Sequence, residues 1–523
     1  MNGKYLKLIS FVVLVNSLII SGCSNNALES QIMQRTVQNY QNVQSPLNIE
    51  QKYSEKMKLS IMEGTGTTPL SPDVIKQELE DALNIEIELS SSLSGEDYTN
   101  QLNVRLAGGN YPDLFQIPNK QYIVQYSQNG ILLDITPYMD NLMEVRQLIG
   151  DESLRKGMVD NKLFAIAKAN QMPNFTYWIR KDWLDNLKMS PPSTLEDFFR
   201  VAKAFTEDDP DQNGKNDTYG ITGIGIRKFF MSTNSFSIVF GAYGIGAPGE
   251  ITSRDGKFID ALHDPAMKDA LAFIKILISE GLVDPELMVN TGLDHQQKAI
   301  QGKAGMLNID WANLKKDVFE AQIKALNPKA EWVQLAPIKG PGGQFDMSYD
   351  LGGSPMYLGL PKGLEKDTKK LQRIFDLLNY VSVGEGYNLV MYGIKGRHYN
   401  LEGNKIVKTD LLDKEGGYFW LYQFTGRKDR EYLMLKFDKQ AQYIDFAGRQ
   451  PRLDNLYSFL IIPDSFNAAE ADRFINEEIT KFIYNKRSLD EYDDFLNTLD
   501  TQFNYRKFME EAQSQLKVLG YVK

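Results

Sequence analysis

Residues 57–116 read MKLSIMEGTGTTPLSPDVIKQELEDALNIEIELSSSLSGEDYTNQLNVRLAGGNYPDLFQ. Residues 58–62 alternate like a strand and run into a Gly/Thr-rich turn at 63–69. Residues 72–83 carry apolar side chains at helical spacing. Residues 85–89 (IEIEL) alternate strictly, which predicts a half-buried strand. Residues 98–106 predict a helix stopped by Gly108 and Gly109, and 111–116 a short strand. Strand and helix alternating in this way predict an α/β fold with a mostly parallel sheet covered by helices.

Outward from this stretch the same alternation recurs. Strands are expected at 162–168, 175–181, 219–223, 304–308 and 355–360. Helices are expected at 194–206, 265–280, 294–302 and 367–380, and the tail from about 465 is helical. The chain has 523 residues, enough for more than one domain. Its single Cys excludes a disulfide framework and a thiolate metal cluster. The three His, at 263, 295 and 398, lie too far apart for a His-x-x-x-His zinc motif. A net charge of -10 argues against a general nucleic-acid binder, which needs a basic surface.

The N-terminus carries a separate signal. Lys4 and Lys7 precede a 13-residue, mostly apolar run at 8–20, which is too short for a spanning helix and has the length of a signal-peptide core. The run ends in Ile20-Ser21-Gly22-Cys23. This resembles a bacterial lipobox, in which the Cys is acylated with fatty acid of the palmitate kind and becomes the mature N-terminus. The alternative is a plain secretory signal with a chance Cys. Residues 1–22 are therefore expected to be a lipoprotein signal peptide and Cys23 the lipidation site. Loss of Lys4 and Lys7 takes the net charge from -10 to -12. Residues 23–56, rich in Gln, Asn and Ser, are expected to form a tether; a swapped arm is the alternative.

The order of further segments carries a family resemblance. LAGGNYPDLF (106–115), GILLDITPYM (130–139), YWIRKDWLDNLKMSPPSTLEDFF (177–199), DPDQNGKNDTYGIT (209–222), ALAFIKILISEGLVDPE (270–286), GKAGMLNIDW (302–311) and LLNYVSVGEGYNLVMYGIKGRHYN (377–400) resemble, in order and spacing, the extracellular solute-binding lipoproteins of ABC importers. The likeness is to the large oligosaccharide-binding kind, related to alginate-binding proteins. It implies a two-lobed, periplasmic-binding-protein-like α/β fold with strands crossing a hinge and a ligand cleft between the lobes. Crossings are expected at 168–175, 332–343 and 394–408. Lobe one would hold 57–168 with 345–395, and lobe two 169–344 with 396–523. Implied partners are an oligosaccharide, the importer's permease subunits and, through lipid, a membrane. The protein is expected to act as a monomer on the extracytoplasmic face of a Gram-positive cell membrane.

Residues 209–220 read DPDQNGKNDTYG. Asp209, Asp211, Asn213 and Asp217 fall at loop positions 1, 3, 5 and 9, with Gly214 at position 6 and the Lys215 carbonyl at 7. Hard oxygen donors at alternate positions suit Ca²⁺. Gly220 stands where an EF-hand has its bidentate Glu. Alginate-binding relatives carry an acidic residue after the position-9 Asp, and here that place is taken by the weaker ligand Thr218. The expectation is a structural calcium; the alternative is an Asx-turn loop without metal.

Sugar sites pair aromatic faces with planar polar groups. The resemblance puts a stacking aromatic at Trp311, with Asp310 beside it for hydroxyls. Trp420 lies in a loop-borne aromatic cluster, Tyr177 and Trp178 follow the first crossing on opposite faces of their strand, and Glu63 sits in the first strand-to-helix turn. For each, packing is the alternative, and Trp183 and Trp332 are assigned to packing outright. Two other functions stay open: a secreted lipoprotein that degrades polysaccharide, and a ligand-sensing co-receptor. No nucleophile elbow, zinc motif or other enzyme motif favours the former.

Overall fold

The computed structural model describes residues 54–226, 235–310, 313–403 and 405–523. Strand Met57–Met62 buries Leu59, Ile61 and Met62 and pairs in parallel with Ile85–Ser90, from Met57 opposite Ile85 to Met62 opposite Ser90. In the second strand Ile85 and Ile87 are buried while Glu86 and Glu88 reach solvent, as strict alternation requires. The helix between them, Val74–Leu83, is capped by the Asp73 carboxylate, which accepts from the Lys76 amide at 3.1 Å. It ends on Asn84 in the left-handed region (φ 48°) and buries Ile75, Leu79 and Leu83, one helical face.

The first sheet runs Ile85–Ser90, Met57–Met62, Leu114–Ile117, Tyr357–Gly359, Ile166–Ala167. Its first three strands are parallel, but Tyr357–Gly359 is antiparallel to both of its neighbours. The mostly parallel expectation thus fails on this side, where the chain returns from a distant part of the sequence and enters the sheet in the opposite direction. The strand expected at 162–168 is also broken, into Lys162–Leu163 and Ile166–Ala167.

A second mixed sheet runs Trp332–Leu335, Phe175–Arg180, Ala304–Asp310, Tyr219–Ile221. A third runs Lys257–Asp260, Ile251–Arg254, Leu453–Asn455, Ser348–Asp350. Residues Lys56–Lys523 form one compact unit around two main cores. One gathers Leu59, Ile61, Leu358, Phe375, Tyr422 and Ala447. The other gathers Tyr177, Phe198, Phe205, Ile274, Phe482 and Phe508, and so includes the C-terminal helices Ala468–Ile483 and Tyr505–Val518.

Between these cores the chain passes three times: between Ala169 and Tyr177, between Leu351 and Met356, and between Ala447 and Leu456. The first passage matches the expected crossing at 168–175. The other two lie elsewhere. Trp332–Leu335 pairs with Phe175–Arg180 inside the second sheet, and the Gly/Pro-rich stretch after it stays there, with the Gly342 amide donating to the Ala242 carbonyl at 2.9 Å. Residues 399–408 form the antiparallel hairpin of Tyr399–Glu402 with Lys405–Lys408. Side chains from Tyr399 to Ala447 pack in the first core, although the sequence division counted 396–523 with lobe two.

Candidate ligand cleft

The carboxyl edge of the first sheet opens onto a cavity of about 390 Å³, lined by Gly64, Thr65, Gln116, Lys168, Trp420 and Arg427 among others. Open α/β sheets bind ligands at this edge, where loops after the strands converge. Two glycines let the walls close up. The Tyr98 ring stands against Gly64, where a Cβ would lie 2.6 Å from a ring carbon. The Tyr98 hydroxyl donates to the Gln116 carbonyl at 2.7 Å, and the Gly64 amide donates to Gln116 Oε1 at 2.8 Å. On the opposite wall Gly426 has φ 92°, and a Cβ there would lie 2.6 Å from the Ala169 nitrogen.

Two further cavities continue the first. One is lined by Gln171, Asn174, Phe175, Tyr349 and Asp350. The other, of about 480 Å³, is lined by Asn119, Lys120, Tyr357, Tyr457 and Leu460. Pro355, in the second passage, lines all three. The result is a groove over the first two crossing segments, with walls from both cores.

The groove holds several buried charges. Glu63 is buried with neither carboxylate oxygen in a hydrogen bond. Burial pushes its carboxyl up to about 7, against the downward pull of the Lys168 ammonium. Burial likewise lowers Lys168, against the pull of Glu63. Arg427 donates to Asp429 Oδ1 at 2.6 Å and to Gln423 Oε1 at 3.1 Å, and its guanidinium lies 4.2 Å from the Tyr432 ring centroid. Asp350 accepts from the Ser458 hydroxyl and from the Gly353 amide, and burial raises its pKa.

The expected site residues divide. Trp420 lines the first cavity, half-buried, with its indole nitrogen donating to the Gly417 carbonyl at 3.0 Å. Glu63 is buried next to the lining residue Gly64 and does not itself line that cavity. Tyr177 and Trp178 are corrected: both are fully buried. Their strand is interior to its sheet, and each face is covered. Tyr177 packs edge-on to Phe198, and Trp178 lies 5.3 Å from the Tyr443 ring. The residues that reach the groove precede them, Asn174 and Phe175. Asp310 ends its strand with its Cα opposite Phe175, while Trp311 and Cys23 lie outside the described residues. Trp183 and Trp332 pack as expected, with the Arg180 guanidinium 4.5 Å from one ring centroid and 5.7 Å from the other. Sequence reasoning missed Lys168, Arg427, Gln116 and Tyr457. Lys168 had a legible signal, a lone charge closing the apolar run LFAIA.

In the 209–218 loop, Asp209 accepts from the Asn213 and Gly214 amides, each at 2.9 Å. The Asn213 side-chain amide donates to Asp211 at 3.0 Å and to Asp217 at 3.1 Å. Burial, with Asp209 and Asp217 close by, raises the pKa of Asp211. Thr218 is corrected: it is buried, and its hydroxyl donates to the Phe205 carbonyl at 2.6 Å, which takes it out of the loop's donor set. Among the described residues, no group of three or more His, Cys, Asp or Glu side chains is arranged to hold a metal.

An α/β scaffold with a groove at its first two crossing segments carries the two-lobed fold of the solute-binding class. The chain belongs to the bacterial extracellular solute-binding protein family, whose sequence model matches residues 67–381. It is 29% identical over 339 residues to the polygalacturonan/rhamnogalacturonan-binding protein YtcQ of Bacillus subtilis (strain 168), a match covering 62% of this chain and 63% of that protein. It is 26% identical over 350 residues to Lipoprotein LipO of the same organism, covering 66% of this chain and 67% of that one. Among solved structures, a human-milk-oligosaccharide (HMO) binding, ABC-transporter-associated protein from Bifidobacterium longum infantis ATCC 15697 aligns with a TM-score of 0.71 at 16% identity, over 90% of this chain and all of that one. The alginate-binding protein AlgQ2 without calcium ion aligns at 0.65 and 16%, over 89% and 99%. Among the described residues, no helix is long and apolar enough to cross a membrane.

Proposed function

We propose that this protein captures an oligosaccharide in the groove over its crossing segments and hands it to an ABC importer. The observation that carries this reading is the groove itself. Trp420 offers an aromatic face for a pyranose, and Gln116 and Gln171 line the cavities with planar amides suited to hydroxyls. YtcQ and the Bifidobacterium protein are both named for carbohydrate ligands. Ligand contacts to both walls would stabilise a closed form that a permease reads, with no bond broken in the sugar. Asp310 and Trp311 stay in the proposed ligand set, because the Asp310 backbone lies opposite Phe175.

Calorimetric titration of the purified protein with a panel of neutral and acidic oligosaccharides, followed by chromatography of the mixture, tests the reading. Saturable binding with intact sugar supports it. Sugar cleavage would establish the polysaccharide-degrading alternative instead.

We also propose that Cys23 carries a lipid anchor on the extracytoplasmic face of the cell membrane, and that the 209–217 loop holds a structural Ca²⁺. Asp209, Asp211, Asn213 and Asp217, with the Lys215 carbonyl, would be its donors. Three carboxylates drawn together around Asn213 repel one another, and a divalent cation would relieve that repulsion.

A further inference from the structure

The helix Ala441–Arg449 touches both lobes, and its two sides are held in different ways. Toward the first lobe it is fixed by burial. Ile444 and Ala447 are fully buried in the first core, and Asp445 pairs with Arg430 of the helix Asp429–Lys436. Apolar side chains buried in a common core part only by local unfolding. Toward the second lobe the contacts are few and mostly polar. There Trp178, Leu307, Ile309 and Trp332 of the second sheet pack with Ile323 of the helix Asp317–Leu326. The half-buried Tyr443 ring lies 5.3 Å from that of Trp178, and the Lys315 ammonium stands 5.8 Å from the Tyr443 ring centroid. Gln334 Nε2 donates to the Tyr443 carbonyl at 3.1 Å, and Gln440 Nε2 donates to the Lys315 carbonyl at 2.8 Å. Lys439 pairs with Asp317 at 2.5 Å, with the two side chains 69% and 71% exposed, so that water competes for the pair. Polar contacts of this kind between parts of one chain permit relative motion.

We propose that this second set of contacts is a clasp between the lobes, which parts when they open, re-forms when they close, and keeps the closed form the major one without ligand. The helix travels with the first lobe, to which its buried face binds it, and Gln440 and Tyr443 engage or release the second. Lys315 and Asp317 follow shortly after Asp310 and Trp311 in the chain, so the segment the clasp holds continues from the proposed ligand residues. A closed form already populated spares the ligand the work of shifting the equilibrium, because apparent affinity scales with the fraction of protein in the competent form. Gln440 and Tyr443 thereby set affinity without touching the sugar.

Two measurements test the clasp. In the first, small-angle scattering compares the ligand-free native protein with the variant carrying Gln440→Ala and Tyr443→Ala. The variant is expected to show the larger radius of gyration, and its affinity for the oligosaccharides that bind in the calorimetric panel is expected to fall roughly three- to tenfold. Saturating sugar should return its radius to the native value, which partial unfolding would not allow. An unchanged radius in the ligand-free variant overturns the proposal. In the second, Lys439→Cys and Asp317→Cys are joined by a short bismaleimide in a chain carrying Cys23→Ser. The joined protein should take up and release sugar far more slowly than the same protein unjoined. Exchange at the unjoined rate would show that the contact does not part on opening, and overturns the proposal. If the double variant fails to fold, Gln440→Ala alone and the cross-link decide. If no sugar of the panel binds, the oligosaccharide reading fails, while the scattering of the ligand-free proteins still decides the clasp.

Discussion

Lys156 donates a hydrogen bond to the Gly353 carbonyl at 2.7 Å from the last position of the helix Met143–Lys156. The same ammonium donates to Asn170 Oδ1. One buried side chain of the first lobe thus ties together the first and second passages of the chain between lobes. Burial lowers its pKa to about 8.

Lys156→Met should destabilise the protein by about 1–3 kcal/mol, because it leaves the buried Gly353 carbonyl and the half-buried Asn170 amide oxygen without their donor. Denaturant titration gives the stability. A midpoint equal to that of the native protein would show that the tie contributes nothing.

Trp420→Ala should weaken oligosaccharide binding about 10- to 100-fold, as expected for loss of an aromatic face worth on the order of 1.5–3 kcal/mol. The melting temperature should move little, because the indole is only half-buried. A large fall in melting temperature with native affinity would mark Trp420 as a packing residue.

Gly426→Ala should destabilise more than an ordinary surface change, by roughly 1–3 kcal/mol. Its φ of 92° disfavours an L side chain, and the new Cβ would meet the Ala169 backbone nitrogen at 2.6 Å, which no rotamer change relieves. Calorimetric melting measures the loss.

His263 bridges Asp260 at 2.7 Å and Asp500 at 3.2 Å and stacks on Tyr505. The Asp260 hydrogen bond, opposed by burial, raises its pKa above the ordinary 6.5. A raised folded pKa means stability that is fully present below the unfolded value and lost as pH rises through the folded one. His263→Gln should therefore cost on the order of 1 kcal/mol at pH 5.5 and less at pH 8.5. Denaturation midpoints at the two pH values measure this, and a constant cost would contradict it.

Calcium at a hundredfold excess over its Kd should add roughly 2.7 kcal/mol to stability. Chelation should lower the melting temperature, and Asp209→Ala combined with Asp211→Ala should remove that response. A metal-loaded protein whose melting ignores chelator would leave the loop as an Asx-turn connection.

Much of the fold was legible because local periodicity and burial agree in it. Ile85 and Ile87 alternate with Glu86 and Glu88, and the helix Val74–Leu83 shows its buried face every fourth residue. What stayed hidden depends on contacts between distant segments. The antiparallel entry of Tyr357–Gly359 into the first sheet leaves no mark on its own three residues. Tyr177 and Trp178 are expected near the ligand because they follow the first crossing, but a strand interior to a covered sheet buries both faces. Lys168 and Arg427 are 259 positions apart in the sequence, so no spacing rule joins them; contacts such as the Ala169 amide donating to the Thr425 carbonyl at 3.0 Å bring their segments together.

The return of Tyr399–Ala447 to the first core has a temporal consequence. A chain emerging N-terminus first cannot complete its first core when residue 169 appears, because Phe419, Tyr422 and Phe424 of that core are still unmade. The pocket wall at Trp420 and Arg427 arrives later than the last strand of the second sheet, Trp332–Leu335. Pairings across so many residues fold slowly, so the growing chain holds that core incomplete, its apolar faces uncovered, until Tyr399–Ala447 has been made.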